Sequence, residues 1–289
     1  MRQVDRLLFR RPIAVGIVSL VLAGIAAISL LWRMLGKESD AAGIAASAEE
    51  PPYSNEKEST HPASWGYTGE TGPARWGDLS PEFAACKDGV SQSPIDLSGD
   101  TETKPHDLAF RYLATPLDVV NNGHTIQVSY VPGSTLAADG KQYALLQFHF
   151  HRASEHTVDG MPADMELHLV HQGADGSLAV VGIFLTEGQR NEALQKVWDN
   201  MPTQKGEKRL MEGNTVDATD LLPADLAYYS YDGSLTTPPC TEDVSWFVLR
   251  KPVEASAEQL AQFAALYANN ARPTQPLNGR SLFFSEDSG

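Results

Sequence analysis

Hydrophobic positions follow two patterns along the chain. Residues 13–32 form an unbroken run of twenty without a charge. At about 1.5 Å of rise per residue such a run makes a helix of roughly 30 Å, the thickness of a bilayer core. Farther on, apolar residues come in short alternating or β-branched runs at 119–120, 125–130, 143–151, 165–171, 178–185 and 244–249. The pairs Asn122-Gly123, Asp139-Gly140, Asp159-Gly160 and Asp175-Gly176 punctuate them, as hairpin turns require. Helical periodicity is sparse. Ser256 with Gln259 predicts a capping box that starts a helix burying Leu260, Phe263 and Tyr267, and residues 192–201 predict another around Leu194, Val197 and Trp198. The fold class expected is mainly β: a single domain on a large, mostly antiparallel sheet with short peripheral helices.

Charge divides the chain again. The first 37 residues hold six bases and one acid; 16 bases and 36 acids remain, so the rest carries a net −20. Four arginines precede the apolar run, which predicts a cytoplasmic N-terminus and an exported remainder. The expected reading is an uncleaved anchor over residues 1–37. A cleaved signal peptide is the alternative, although the run is longer than the usual h-region and Ala46-Ser47-Ala48 lies far beyond it. Residues 38–63, rich in Ala, Ser, Glu and Pro, predict a flexible linker, and 64–285 the folded domain. The acidity argues against nucleic acid, whose binding needs lysine and arginine at the phosphates. Two cysteines, Cys86 and Cys240, are too few for a thiolate zinc site.

Candidate chemistry sits on two of the predicted strands. Alternation puts Gln147, His149 and His151 on one face, opposite Leu146, Phe148 and Phe150, and puts Glu166, His168 and Val170 on one face, opposite Met165, Leu167 and Leu169. If the strands pair, three imidazoles converge, the ligand set of a hydrolytic or hydrating zinc ion with one open position. A lone histidine between apolar neighbours is ordinarily a hydrogen-bonded core residue; two on one strand face and a third beside them favour a metal. Gln147 and Glu166, each two residues before a histidine, are placed to accept ring N–H bonds and fix tautomers.

These residues carry a resemblance. The stretch from Gln147 to His151, then Ser154-Glu155-His156, Glu166-Leu167-His168-Leu169-Val170-His171 and Ser234-Leu235-Thr236-Thr237-Pro238-Pro239 resemble the α-class carbonic anhydrases. Trp65-Gly66-Tyr67, Gln92-Ser93-Pro94-Ile95, Asn121-Asn122-Gly123-His124, Val244-Ser245-Trp246 and Arg272-Pro273-Thr274-Gln275-Pro276-Leu277 extend it over about residues 64–284. The resemblance implies that His149, His151 and His168 hold zinc and that carbon dioxide is reversibly hydrated to bicarbonate and a proton by zinc-hydroxide attack. Thr236 and Glu155 would orient the hydroxide, and His124 would shuttle the proton. Val170, Val180, Leu235 and Trp246 would wall the carbon dioxide pocket, bordered by Thr237, while Tyr67, Asn122 and Gln127 would order the waters leading to His124. Cys86 and Cys240 match a pair joined as a disulfide in many bacterial relatives, and Pro238-Pro239 a family cis bond. Sulfonamide or anion inhibitors, a periplasmic location and a homodimer also lie within what the resemblance implies. Arg152 departs from the aromatic residue common after the second histidine, and Gln127 from the usual asparagine.

Two other classes remain open. Glu155, following His149-x-His151 at cupin-like spacing, could be a ligand in an iron or manganese oxygenase, a reading that leaves the Leu235-Thr236-Thr237-Pro238-Pro239 loop unexplained. An inactive binding module on the same fold would ordinarily have lost a ligand or catalytic partner, and here all are present.

Overall fold

The computed structural model describes residues 64–99, 101–105 and 107–286; the expected anchor over 13–32 and linker over 38–63 lie outside the described residues. No helix among the described residues is long and apolar enough to cross a membrane.

Alternating sequences become a twelve-stranded sheet. Its path runs through β1 (Glu102–Thr103), β14 (Phe283–Ser285), β12 (Tyr228–Ser234), β13 (Glu242–Ala255), β10 (Leu178–Glu187), β9 (Met165–Gly173), β6 (Lys141–His151), β4 (Ile126–Ser129), β3 (Thr115–Asn121) and β11 (Lys208–Val216). Strands β2 (Ala109–Arg111) and β5 (Thr135–Ala138) extend it beside β6, while β7 (Thr157–Val158) and β8 (Met161–Pro162) form a separate hairpin; two short helices, α1 (Trp76–Leu79) and α2 (Ala85–Asp88), precede the sheet. At the β5–β6 and β7–β8 turns both residues of the pairs Asp139-Gly140 and Asp159-Gly160 have positive φ, between 49° and 75°, which gives the twist a two-residue hairpin needs. The sheet is mixed: β10 pairs with β13, and β1 with β14, in parallel; the other neighbours are antiparallel.

One sheet face carries the main core. Phe148, Phe150, Leu167, Leu169, Val181, Ile183 and Phe247 are buried there against Leu194, Val197 and Trp198 of α3 (Glu192–Trp198) and Leu260 and Phe263 of α4 (Ala257–Ala264). Burial of each such side chain is worth about 1.5–3 kcal/mol. A one-residue slip would turn them all to the other side, so the core fixes the register that aims the histidines. The predicted capping box is present: Ser256 Oγ accepts from Gln259 N, and Gln259 Oε1 from Ser256 N. Tyr267 lies past the helix end rather than in its stripe, because α4 stops at Ala264. Leu146 also departs from the expected pattern. A bulge between Leu145 and Gln147 breaks the β6–β9 register, so Leu145 enters the core and Leu146 is exposed.

On the core face of β9, His171 is fully buried. Its Nδ1–H donates to Ala179 O (3.3 Å), and Nε2 accepts from Tyr112 OH (2.8 Å). Burial pulls its pKa down to about 4, a carbonyl partner offsetting part of the drop. The ring is therefore neutral in the native state, while an unfolded chain protonates it near 6.5. Stability is full above that value, falls as pH drops toward 4, and levels off below. The contribution lost between pH 7 and 5 is about 2 kcal/mol. Urea unfolding of His171→Gln at the two pH values is expected to show a smaller pH-dependent loss than the parent; an equal loss would mean that His171 is not the acid-sensitive group.

Candidate metal centre

The face opposite the main core carries the site, built as rungs across paired strands. Gln127, His149, His168 and Gly182 lie side by side on β4, β6, β9 and β10. The next rung sets His151 beside Glu166, and the one on the other side runs through Gln147, Val170, Val180 and Trp246. Gly182 is needed in its rung: a Cβ there would stand 2.7 Å from Glu166 Oε1.

Each histidine has one ring nitrogen committed to an acceptor. His149 Nδ1 bonds Gln147 Oε1 at 2.9 Å, His151 Nδ1 bonds the Asn270 carbonyl at 2.8 Å, and His168 Nε2 bonds Glu166 Oε1 at 3.0 Å. An amide oxygen, a carbonyl and a carboxylate can only accept, so those nitrogens carry the hydrogens. The lone pairs fall on His149 Nε2, His151 Nε2 and His168 Nδ1. His151 Nε2 is buried without any partner. One ring nitrogen from each of the three histidines lies within 4.8 Å of the others. Burial lowers the pKa of all three, His151 to about 4, which keeps the rings neutral and their lone pairs available. An orphaned buried nitrogen facing two free imidazoles fits a metal ion that retains an open position. His156, Glu166 and His168 form a second close group, but both His156 nitrogens are used, on Glu166 Oε1 and Tyr231 OH, at 2.7 Å each. It is a hydrogen-bond relay, not a ligand set.

Glu166 anchors that relay. Burial alone would raise its pKa, but His156 and His168 hold it well below the usual carboxylate range. Its Oε2 also accepts the backbone N–H groups of Glu155 and His156, at 2.9 and 2.8 Å. Glu155 is equally buried, and its Oε1 accepts from Arg272 N at 2.8 Å. Burial pushes its pKa up to about 7, against the lowering effects of His168, that N–H and the Thr236 hydroxyl. Glu155 Oε2 closes no hydrogen bond of ordinary geometry, so Thr236 stands in near contact with the carboxyl rather than in a closed bond.

The loop holding Thr236 is fastened at both ends. Ser93 N donates to Ser234 Oγ (2.9 Å), Ser234 N donates back to Ser93 Oγ (3.0 Å), and Trp246 Nε1 donates to Ser234 O (2.9 Å). At the far end Cys240 is joined to Cys86, and Gln92 Nε2 donates to Cys240 O. The bonds Ser93–Pro94, Arg152–Ala153 and Pro238–Pro239 are cis. Val180 and Trp246 belong to a second buried apolar cluster, with half-buried Val170 and Leu235 packed on it. Trp246 meets His168 edge-on, ring centroids 4.9 Å apart.

A cavity of about 130 Å³ is lined by Trp65, Tyr67, Asn122, His124, Gln127, Gln147, His149, His151 and Thr237, among others. The structure thus gathers the residues expected along the proton path. Asn122 Oδ1 accepts from the backbone N–H groups of His124 and Thr125, both at 2.9 Å, which shapes the turn. The His124 ring stacks on Trp65, centroids 3.7 Å apart and planes 9° apart. Its pKa is lowered by burial and by Lys205. The Tyr67 hydroxyl is buried without a partner, and burial raises its pKa well above the ordinary value.

Several working parts escaped sequence reasoning. His156, Arg272, Ser93 and Trp65 stood inside recognised motifs without a role, and Tyr231 sits on β12, which no predicted run covered. The buried Arg272 guanidinium donates to Gln92 Oε1, Ser93 O and Cys86 O. Asn270 left no pattern at all, since its carbonyl is what meets His151.

Comparison with known proteins places these features in one lineage. The family model described as eukaryotic-type carbonic anhydrase matches residues 71–286. A carbonic anhydrase of Nostoc sp. is 49% identical over 221 residues, covering 75% of this chain and 84% of that protein. One from Pectobacterium carotovorum is 43% identical over 220 residues, covering 75% and 89%. The α-carbonic anhydrase from Thermovibrio ammonificans, solved with the inhibitor sulfanilamide, is 45% identical with a TM-score of 0.75, covering 77% of this chain and all of that one. With the family model spanning nearly the whole described region and the same fold beneath it, the chain belongs to the α-class carbonic anhydrase family.

Proposed function

We propose that this chain is a zinc enzyme catalysing the reversible hydration of carbon dioxide to bicarbonate and a proton. The observation carrying the reading is the set of three free imidazole nitrogens, one buried and orphaned, beside Glu155, Thr236 and an apolar cluster. His149 Nε2, His151 Nε2 and His168 Nδ1 would hold the ion. When bound it supplies a nucleophile at neutral pH by lowering the pKa of water from about 15.7 to about 7, an effect for which carbonic anhydrases are the standard example.

The chain's own side chains do the rest. Were the near contact with Glu155 to close into a hydrogen bond, with Glu155 as acceptor, the Thr236 hydroxyl could only accept from the attacking oxygen, which would turn a lone pair rather than a proton toward the carbon. Val170, Val180, Leu235 and Trp246 offer neutral carbon dioxide a dry surface without charge, with Thr237 at its border. Once bicarbonate has left, His124 takes a proton from the water chain ordered by Tyr67, Asn122 and Gln127 and releases it to solvent. Gln147 and Glu166 hold the ligand tautomers. The open position is also where a sulfonamide would bind.

Proton release on adding carbon dioxide to the folded domain, with and without a chelator, tests the reading. Chelator-sensitive acidification with one zinc per chain is expected; iron or manganese, or no acidification, would reject it. His124→Ala is expected to slow turnover on the order of 10-fold or more in weak buffer, with recovery in concentrated imidazole. Equal loss in both buffers would remove His124 from the proton path. The reading also puts residues 64–285 outside the cytoplasm, held by an N-terminal anchor; the mass of the mature N-terminus distinguishes this from a cleaved leader.

A further inference from the structure

Between α4 and Arg272 the chain crosses the back of the site as a coil, and its contacts converge on Asn270. This side chain is fully buried, and its three hydrogen bonds all go to backbone. Oδ1 accepts from Arg152 N at 2.7 Å, while Nδ2 donates to His124 O at 2.9 Å and Phe150 O at 3.0 Å. Its own backbone takes part as well: Asn270 N donates to Arg152 O at 2.8 Å, and Asn270 O accepts from His151 Nδ1 at 2.8 Å. One residue thus touches the turn carrying the proton carrier and the strand end carrying a metal ligand. Neighbouring contacts reinforce the link. Thr125 Oγ1 donates to Phe150 O at 2.5 Å, and Tyr267 OH donates to Asn121 Oδ1 at 2.5 Å.

We propose that Asn270 is a positioning residue for proton transfer, its side-chain amide fixing the His124 backbone to the strand that presents His151. The inference rests on the assignment of His124 as proton carrier. The physical reason is that proton transfer depends steeply on donor–acceptor geometry, and while Thr125 ties the turn to Phe150, it is the Asn270 amide that links the His124 carbonyl itself to β6. The tie must donate twice, to two carbonyls, while accepting once, and a primary amide is a short side chain able to do both.

Asn270→Asp separates this role from general support. The carboxylate can still accept from Arg152 N, and the backbone carbonyl still meets His151, but an oxygen now faces the His124 and Phe150 carbonyls. The expected result is a roughly 10-fold lower kcat in weak buffer, with kcat/KM within about two-fold of the parent, an unchanged zinc content and recovery of kcat in concentrated imidazole. A second readout needs no metal: in the metal-free protein, the nuclear Overhauser contact between the His124 and Trp65 rings is expected to weaken. Asn270→Ser, which removes the donors without adding charge, is expected to behave alike and serves if the aspartate variant does not fold. An unchanged kcat in weak buffer with the ring contact intact overturns the proposal. So does a parallel fall of kcat and kcat/KM with loss of zinc, which would make Asn270 simply a support of the metal site. If the parent protein itself hydrates no carbon dioxide, the functional reading fails, while the ring contact in the metal-free variants still reports on the tether.

Discussion

His168→Ala is expected to bring carbon dioxide hydration down to the buffer background and zinc to well below one ion per chain. Two imidazoles and water hold zinc far more weakly than three, and His151 and His149 share a strand and cannot close the gap from the other side. The loss reaches beyond the ligand. Glu166 Oε1 accepts from both His168 and His156, so removing one donor leaves a buried carboxylate less well paired, while the backbone N–H groups of Glu155 and His156 still hold its other oxygen. The chain should therefore fold, somewhat destabilised, without its ion. Metal analysis and hydration assays, run alongside circular dichroism, separate an empty site from an unfolded one. A folded variant that keeps a full equivalent of zinc and its turnover would sink the ligand assignment.

Breaking the Cys86–Cys240 disulfide should cost stability far more than catalysis. The bridge joins residues 154 apart, and the chain-entropy model assigns a closed loop of that length about 5 kcal/mol. For a domain of this size the loss corresponds to a fall in Tm of roughly 10–20 °C. The loop carrying Thr236 has other fastenings, through the Ser93–Ser234 pair, Trp246 and Gln92. Hydration at 25 °C by the folded Cys86→Ser/Cys240→Ser variant is therefore expected to stay close to the parent. Calorimetry and assays on the same samples check both halves. An unchanged Tm would show that the bridge contributes little, and a collapse of activity in a still-folded variant would make it a catalytic brace instead.

The parts of this molecule that could be read from its sequence are those governed by local periodicity. Alternation in β6 and β9 placed three histidines on one face, and the core residues of the opposite face fixed that choice. The Asp-Gly pairs marked the turns at β5–β6 and β7–β8, and Ser256 with Gln259 marked the start of α4. Strand ends and exceptions were less legible. The bulge at Leu146 arises from register against β9, which no property of Leu146 itself announces. Strands β11 and β12 lack a strong apolar alternation; β11 lies at the sheet edge with mostly exposed side chains, and β12 is held by its neighbours. The parallel β10–β13 pairing joins distant segments, and hairpin signals cannot report it. In the site, the three converging histidines and the motif residues were visible, whereas the contribution of Asn270 depends on where a coil happens to pass.

That parallel seam also gives the pocket a history. Strands β6, β9 and β10 succeed one another along the chain with only the small β7–β8 hairpin interposed, so the histidine face can assemble through nearby contacts. Strand β13 can dock on β10 only after α3, β11 and β12 have been laid down, and contacts between such remote segments form slowly. Trp246 is therefore expected to join after the imidazoles have met. On that order a divalent ion would meet the three imidazoles before the apolar cluster around Trp246 is complete, and its binding energy would then favour docking of the remaining strands.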